Sequence, residues 1–74
     1  MSLFPIRLRE LRKDNKLKQK DMAELLNISR NTFSNYETGN REPCIEKIIK
    51  IALIFDCTTD YLIGVDEYFK KNVS

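Results

Sequence analysis

The segment from Gln19 to Glu37, QKDMAELLNISRNTFSNYE, constrains this chain more than any other. Met22, Ala23, Leu25 and Leu26 supply apolar positions for a helix from Gln19 to Leu26. Asn27-Ile28-Ser29 then makes a turn. Asn tolerates left-handed backbone, Ile28 plugs the bend with an apolar side chain, and Ser29 is a strong N-cap. A second helix runs from Arg30 to Thr38, with Phe33 and Tyr36 at i, i+3 as an inward stripe. Gly39 is its left-handed stop. Ala23 is small where the two helices cross most closely.

Two short helices across a tight turn form a helix-turn-helix, an arrangement that lays its second helix in the DNA major groove. The outward side chains suit that task. Asn matches both edge groups of adenine and Arg both of guanine, each good bidentate contact giving on the order of 1–3 kcal/mol of discrimination. Asn31 and Asn35 are one helical turn apart, and Arg30 and Ser34 share that spacing on an adjoining stripe. Plainer readings stand beside these. Asn31 and Asn35 also suit a solvated face, Arg30 suits a phosphate as well as a guanine, and Gln19 suits a simple helix start. Phe33 and Tyr36 as base-stacking groups require exposure, which their spacing opposes.

The remaining segments read as helices too. Pro5 suits a first helical position, and that helix runs to about Asp14 with Leu8 and Leu11 inward. Pro43 starts or precedes a fourth helix, where Ile45, Ile48, Ile49, Ala52, Leu53 and Phe55 make a broad apolar face. Thr58 caps a short fifth helix, with Asp60 in its first turn, Tyr61 and Leu62 inward and Gly64 as the stop. The β-branched residues follow helical spacing rather than alternation, so the fold class is all-α with five helices. Seventy-four residues make one small domain that folds without staples. That domain is assigned to residues 1–64. Residues 65–74 form a tail in which Val65, Tyr68 and Phe69 recur at helical spacing. The tail is a helix extension, a dimer contact or the stub of a linker.

Charge and composition remove whole classes of function. The net charge is only +2, but residues 1–41 hold nine Lys/Arg against five Asp/Glu, whereas residues 42–74 hold four against six. The basic half contains the proposed reading helix, as an electrostatic footprint requires. An ordinary solvated surface gives the same asymmetry. The chain has no His, so Ser-His and Cys-His nucleophile pairs and His-containing metal sites are excluded. Gly39 and Gly64 are the only glycines, so there is no Gly-rich phosphate loop. The expectation is a non-enzyme with no metal and no cofactor. Cys44 and Cys57 sit at the two ends of the fourth helix, too far apart to bridge, and read as small buried apolar residues. The stretch from Ile45 to Phe55 carries Glu46, Lys47 and Lys50 and cannot span a bilayer. Met1-Ser2-Leu3-Phe4 lacks a signal peptide's pattern, which points to the cytoplasm.

The pattern RLRELRKDNKLKQKDMAELLNISRNTFSNYETGNREP, followed by an apolar helix and DYLIG, resembles the lambda-repressor/Cro-like helix-turn-helix family over residues 6–64. That family is also called the xenobiotic-response-element family. The resemblance implies a compact five-helix domain that binds double-stranded DNA as a homodimer, usually as a repressor, at a bacterial or phage nucleoid. Position by position, Arg30, Asn31, Ser34 and Asn35 match groove-facing residues. Gln19 matches a phosphate contact, Ser29 a cap that also approaches the backbone, and Asn40 and Arg41 the loop after the reading helix. Arg12 and Glu37 match an ion pair bridging the first and third helices.

The chain also departs from the family pattern. Lys16 stands where relatives often have Gly, and neighbouring Asn15 is expected to take the left-handed conformation instead. Lys18 replaces a capping Thr and opposes the positive helix end. Lys18 and Lys20 therefore read as trading local stability for attraction to phosphates. Cys44 replaces a Ser or Asp cap. A rival reading is a protein-interaction module or antitoxin on the same fold, with the tail as the patch for an additional protein partner. Exposed apolar groups of the fifth helix and the tail are the expected dimer seam.

Overall fold

The computed structural model describes residues 2–67 of the chain. Within them the order is α1 (Phe4–Asp14), α2 (Gln19–Leu26), α3 (Arg30–Thr38), α4 (Ile45–Ile54) and α5 (Thr59–Ile63). Residues 65–67 are helical again beyond Gly64. No strand occurs among the described residues.

Helices α1, α2 and α4 end by one repeated device. Lys16, Asn27 and Asp56 enter the left-handed region at φ of 57°, 56° and 52°. After each, the next amide reaches back to close the helix: Leu17 N–H to the Arg12 carbonyl, Ile28 N–H to Ala23, and Cys57 N–H to Ala52, all at 3.0 Å. This is the Schellman closure, and its following residue packs back on the helix. Leu17, Ile28 and Cys57 do so, each half-buried against the core. The first of these stops corrects the expectation for Asn15. Asn15 keeps φ at −92° because its backbone N–H and its Nδ2 both donate to the Leu11 carbonyl, so the left-handed turn falls on Lys16.

All five helices contribute to one core: Phe4 and Leu8, then Met22, Ala23 and Leu26, then Phe33 and Tyr36, then Ile51 and Ala52, then Leu62. Phe33 meets Tyr36 edge-on, with ring centroids 6.5 Å apart. Full burial of a residue such as Phe33 or Leu8 contributes about 1.5–3 kcal/mol. Helix α3 packs on α1 and α2, and α4 packs on α2 and α5. Lys47 from α4 donates its Nζ to the Leu26 carbonyl at 2.7 Å, satisfying an orphan acceptor at the end of α2.

Several inward assignments change. Leu25 is exposed, and so are Ile45 (65%), Ile49 (46%) and Leu53 (76%) on α4. The arc that α4 buries runs through Ile48, Ile51, Ala52 and Phe55, the i, i+3, i+4, i+7 stripe. Glu46, Lys47 and Lys50 mark the polar side, but the apolar residues spread over an arc wider than the helix buries, so periodicity alone does not choose the inward side within it. Tyr61 is 39% exposed rather than inward, and its ring carries the Arg7 guanidinium at 4.3 Å from the centroid. Cys44 is exposed at the N-cap of α4, and only Cys57 is half-buried. Burial, with Asp56 alongside, pushes the Cys57 thiol up and keeps it protonated. Helix α1 starts one residue before Pro5.

At the other end of the core, Leu3 N–H donates to the Ile63 carbonyl at 2.9 Å. Gly64 sits here at φ 94°, and a Cβ on it would stand 2.9 Å from Leu3 Cβ. Glycine is required twice over, by conformation and by space.

Candidate nucleic-acid interface

The geometry of α3 is set from Glu37, whose side chain is almost wholly buried. Glu37 Oε2 accepts from Arg12 Nε at 2.6 Å, and Oε1 accepts from Arg12 Nη2 at 3.1 Å. Oε1 also accepts from Gln19 Nε2 at 2.9 Å, and Arg12 Nη1 donates to the Leu17 carbonyl at 3.0 Å. One carboxylate thereby fixes α1, the α1–α2 loop and the start of α2 against the far end of α3. Bidentate geometry and the additional donor are what make a buried charge tolerable.

The two ends of α3 are also held. Ser29 Oγ accepts from Thr32 N–H at 3.0 Å and donates to Thr32 Oγ1 at 2.9 Å. Past the stop at Gly39, Arg41 N–H returns to the Asn35 carbonyl at 3.2 Å. With Phe33, Tyr36 and Glu37 buried, the orientation of the helix is over-determined.

Its other face is left uncommitted. Arg30 and Asn31 are exposed, Ser34 and Asn35 half-buried, and none of these four side chains bonds to a described residue. Asn31 and Asn35 stand one turn apart, about 6 Å along the axis. Lys18, Lys20, Asn40 and Arg41 are exposed at the start of α2 and in the loop after α3. Gln19 is placed differently from the rest, because one of its Nε2 hydrogens is engaged by Glu37.

The electrostatics of the helix starts are unusual. Negative side chains stabilise a helix N-terminus and positive ones oppose it. Yet α3 has no acid in its first turn and begins with Arg30, while α2 has Lys18 at its N-cap and Lys20 behind it. Asp21 relieves α2 in part by accepting from Lys18 N–H at 2.8 Å. Two adjacent helix starts therefore carry cations where an anion is favoured.

Sequence reasoning missed one structural anchor. Arg7 donates to the Tyr61 carbonyl and forms a bidentate pair with Asp66, at 2.7 and 3.1 Å. This ties residues 65–67 to α1. The hydrogen bond from Arg7 holds the Asp66 carboxyl below its ordinary range. No local pattern links residues 59 positions apart, so nothing in the sequence pointed to the pair. Tyr68 and Phe69, assigned to the tail's apolar pattern, lie outside the described residues. Among the described residues no group of three or more His, Cys, Asp or Glu stands ready for a metal, and no helix is long and apolar enough to cross a membrane.

A polar helix face held out across a tight turn from a packed preceding helix is the helix-turn-helix arrangement. A helix-turn-helix domain model matches residues 6–66, and the chain belongs to that family. It is 44% identical over 66 residues to the HTH-type transcriptional regulator ImmR of Bacillus subtilis, covering 89% of this chain and 52% of ImmR. The chain spans about half the length of the Bacillus subtilis relatives it matches. The crystal structure of a transcriptional regulator from Listeria innocua superposes with a TM-score of 0.84 at 38% identity, over 86% of this chain and 60% of that one. The P22 c2 repressor, solved in complex with a synthetic operator, superposes with a TM-score of 0.78 at 27% identity, over 85% of this chain and 96% of that one. The fold is the repressor-like five-helix bundle.

Proposed function

We propose that this domain binds double-stranded DNA sequence-specifically as part of a transcriptional regulator, acting as a dimeric repressor on a pseudo-palindromic operator. One observation carries the reading: the four polar side chains of α3's outer face are unengaged, on a helix whose inner face and both ends are fixed. Arg30, Asn31, Ser34 and Asn35 read base edges in the major groove. Lys18, Lys20, Asn40 and Arg41 set register on phosphates, and Ser29 joins them when its hydroxyl turns from Thr32 Oγ1 to the DNA backbone. Gln19 joins them through the Nε2 hydrogen that Glu37 leaves over. A phosphate near the starts of α2 and α3 relieves the unfavourable placement of Lys18 and Arg30.

Two copies place their α3 helices in successive major grooves, about 34–36 Å apart. Repression follows from occupying DNA that polymerase needs. The P22 c2 repressor's complex with an operator and the names of the bacterial relatives support this reading. No catalytic role is assigned, and a cytoplasmic location follows from the DNA target.

The test is selection of bound sites from a random DNA pool at near-physiological salt. The expected product is a two-fold-symmetric motif with half-sites about one helical turn apart. A folded protein that enriches nothing overturns the proposal.

A further inference from the structure

The outer side of α4 carries the most exposed apolar surface among the described residues. Ile45, Ile49 and Leu53 repeat every fourth residue and form one stripe, exposed by 65%, 46% and 76%. Stripes of branched aliphatics are unusual on a monomer's surface and mark contact sites. At about 100° per residue, Glu46 and Lys50 lie together on one flank of the stripe. The other flank is the buried arc of α4. Both charged residues are exposed, and neither forms an ion pair with a described residue.

We infer that this stripe is the seam through which a second copy of the chain docks, with the two α4 helices antiparallel about a two-fold axis. The charges select this occupant. In such a pairing Ile49 meets Ile49, and Ile45 meets Leu53 of the second copy. A two-fold axis perpendicular to the helices brings identical flanks together, so Glu46 of each copy faces Lys50 of the other, twice over. The surface is self-complementary in residue order and in sign. The fifth helix, expected from sequence to supply the seam, offers Tyr61 alone as an exposed large apolar residue, and Arg7 already covers that ring.

Three aliphatic side chains a copy are far fewer than the roughly 20–30 residues of a standard interface. Association in free solution is therefore weak, and it strengthens when adjacent half-sites hold two copies side by side. This deepens the dimeric reading above and rests on it.

The test reads amide NMR shifts of the 74-residue chain, without DNA, over its full soluble concentration range. The expected result is concentration-dependent change centred on α4. Leu53→Glu, at an exposed position that leaves the fold intact, should weaken association roughly tenfold or more. Glu46→Lys and Lys50→Glu should each weaken self-association several-fold, and mixing these two variants should restore it in the heterodimer. Absence of any concentration dependence, shifts that avoid α4, or variants that do not complement on mixing would overturn the proposal. Because no DNA is present, these outcomes are independent of the site selection. Motif enrichment without an α4 seam removes this inference alone, whereas an α4 seam without enrichment removes the DNA reading alone.

Discussion

Helices α3 and α4 are of similar length, nine and ten residues, and both pack one side against the same core. Their outer sides differ completely. The outer side of α3 is polar and unengaged, with Arg30, Asn31, Ser34 and Asn35 held out by a fixed inner face. The outer side of α4 is apolar, with Ile45, Ile49 and Leu53 in solvent. Neither surface is explained by folding. A polar face with hydrogen-bonding capacity in both directions suits a groove of donors and acceptors, while an aliphatic stripe suits another aliphatic surface. Under the proposed function, the comparison divides the domain into a reading side and an association side.

The sharpest way to break that division is to truncate one side chain on each helix, a buried one on α3 and an exposed one on α4. Phe33→Ala, on the buried side of α3, should cost about 3–5 kcal/mol in urea unfolding. Leu53→Ala, on the exposed side of α4, should fall within about 0.5 kcal/mol of the parent. A large loss at Leu53 would mean that the stripe belongs to the monomer's own core.

The Arg12–Glu37 pair sharpens the account of how α3 is held. Glu37→Ala leaves the Arg12 guanidinium buried without its partner and should cost roughly 3–5 kcal/mol. Replacing both residues by Met should recover part of that loss, because the burial penalty then disappears with the charges. The stability of the double variant against the singles, in a double-mutant cycle, measures the coupling.

The same contrast explains what was legible in the sequence. In α3 the polar and apolar residues separate cleanly, so Phe33 and Tyr36 were readable as core. The boundaries of α2 and α3 followed from Ser29, Asn27 and Gly39, whose conformational preferences are strong and local. In α4 the polar residues Glu46, Lys47 and Lys50 leave an apolar arc wider than the buried one, so the inward side was misplaced within it and the core residue Ile51 was overlooked. Lys16 was passed over for Asn15 because intrinsic left-handed preference favours Asn, whereas the helix-closing bonds of Leu17 and Lys16 decided the position. The Arg7–Asp66 clamp was invisible, since tertiary packing alone brings those residues together.

Smaller effects test the reading side further. Lys18→Thr supplies a capping oxygen and removes a cation from the start of α2, so thermal stability should rise by about 1 kcal/mol. If Lys18 meets a phosphate, the logarithmic salt slope of DNA binding should also flatten by about 0.9. An unchanged slope would remove Lys18 from the phosphate set. The smallest effect concerns the Arg7–Asp66 clamp. The folded-state carboxyl of Asp66 is held below its ordinary value of 3.8, so its contribution is present above that pH and fades as pH falls through the lowered value. Asp66→Asn should abolish that part of the acid dependence, read from unfolding midpoints across the acid range. An identical pH profile for the variant would show that the clamp adds nothing to stability.

The central claim is that α3's outer face reads bases, and paired affinities test it most directly. The affinities of the parent, Asn31→Ala and Asn35→Ala would be measured for the enriched site and for a scrambled duplex at one fixed salt concentration. The account predicts that each substitution lowers the specific affinity by about 1–3 kcal/mol while leaving scrambled-duplex binding and the unfolding midpoint nearly unchanged. Equal losses on both duplexes, or none on either, would contradict base reading by this helix.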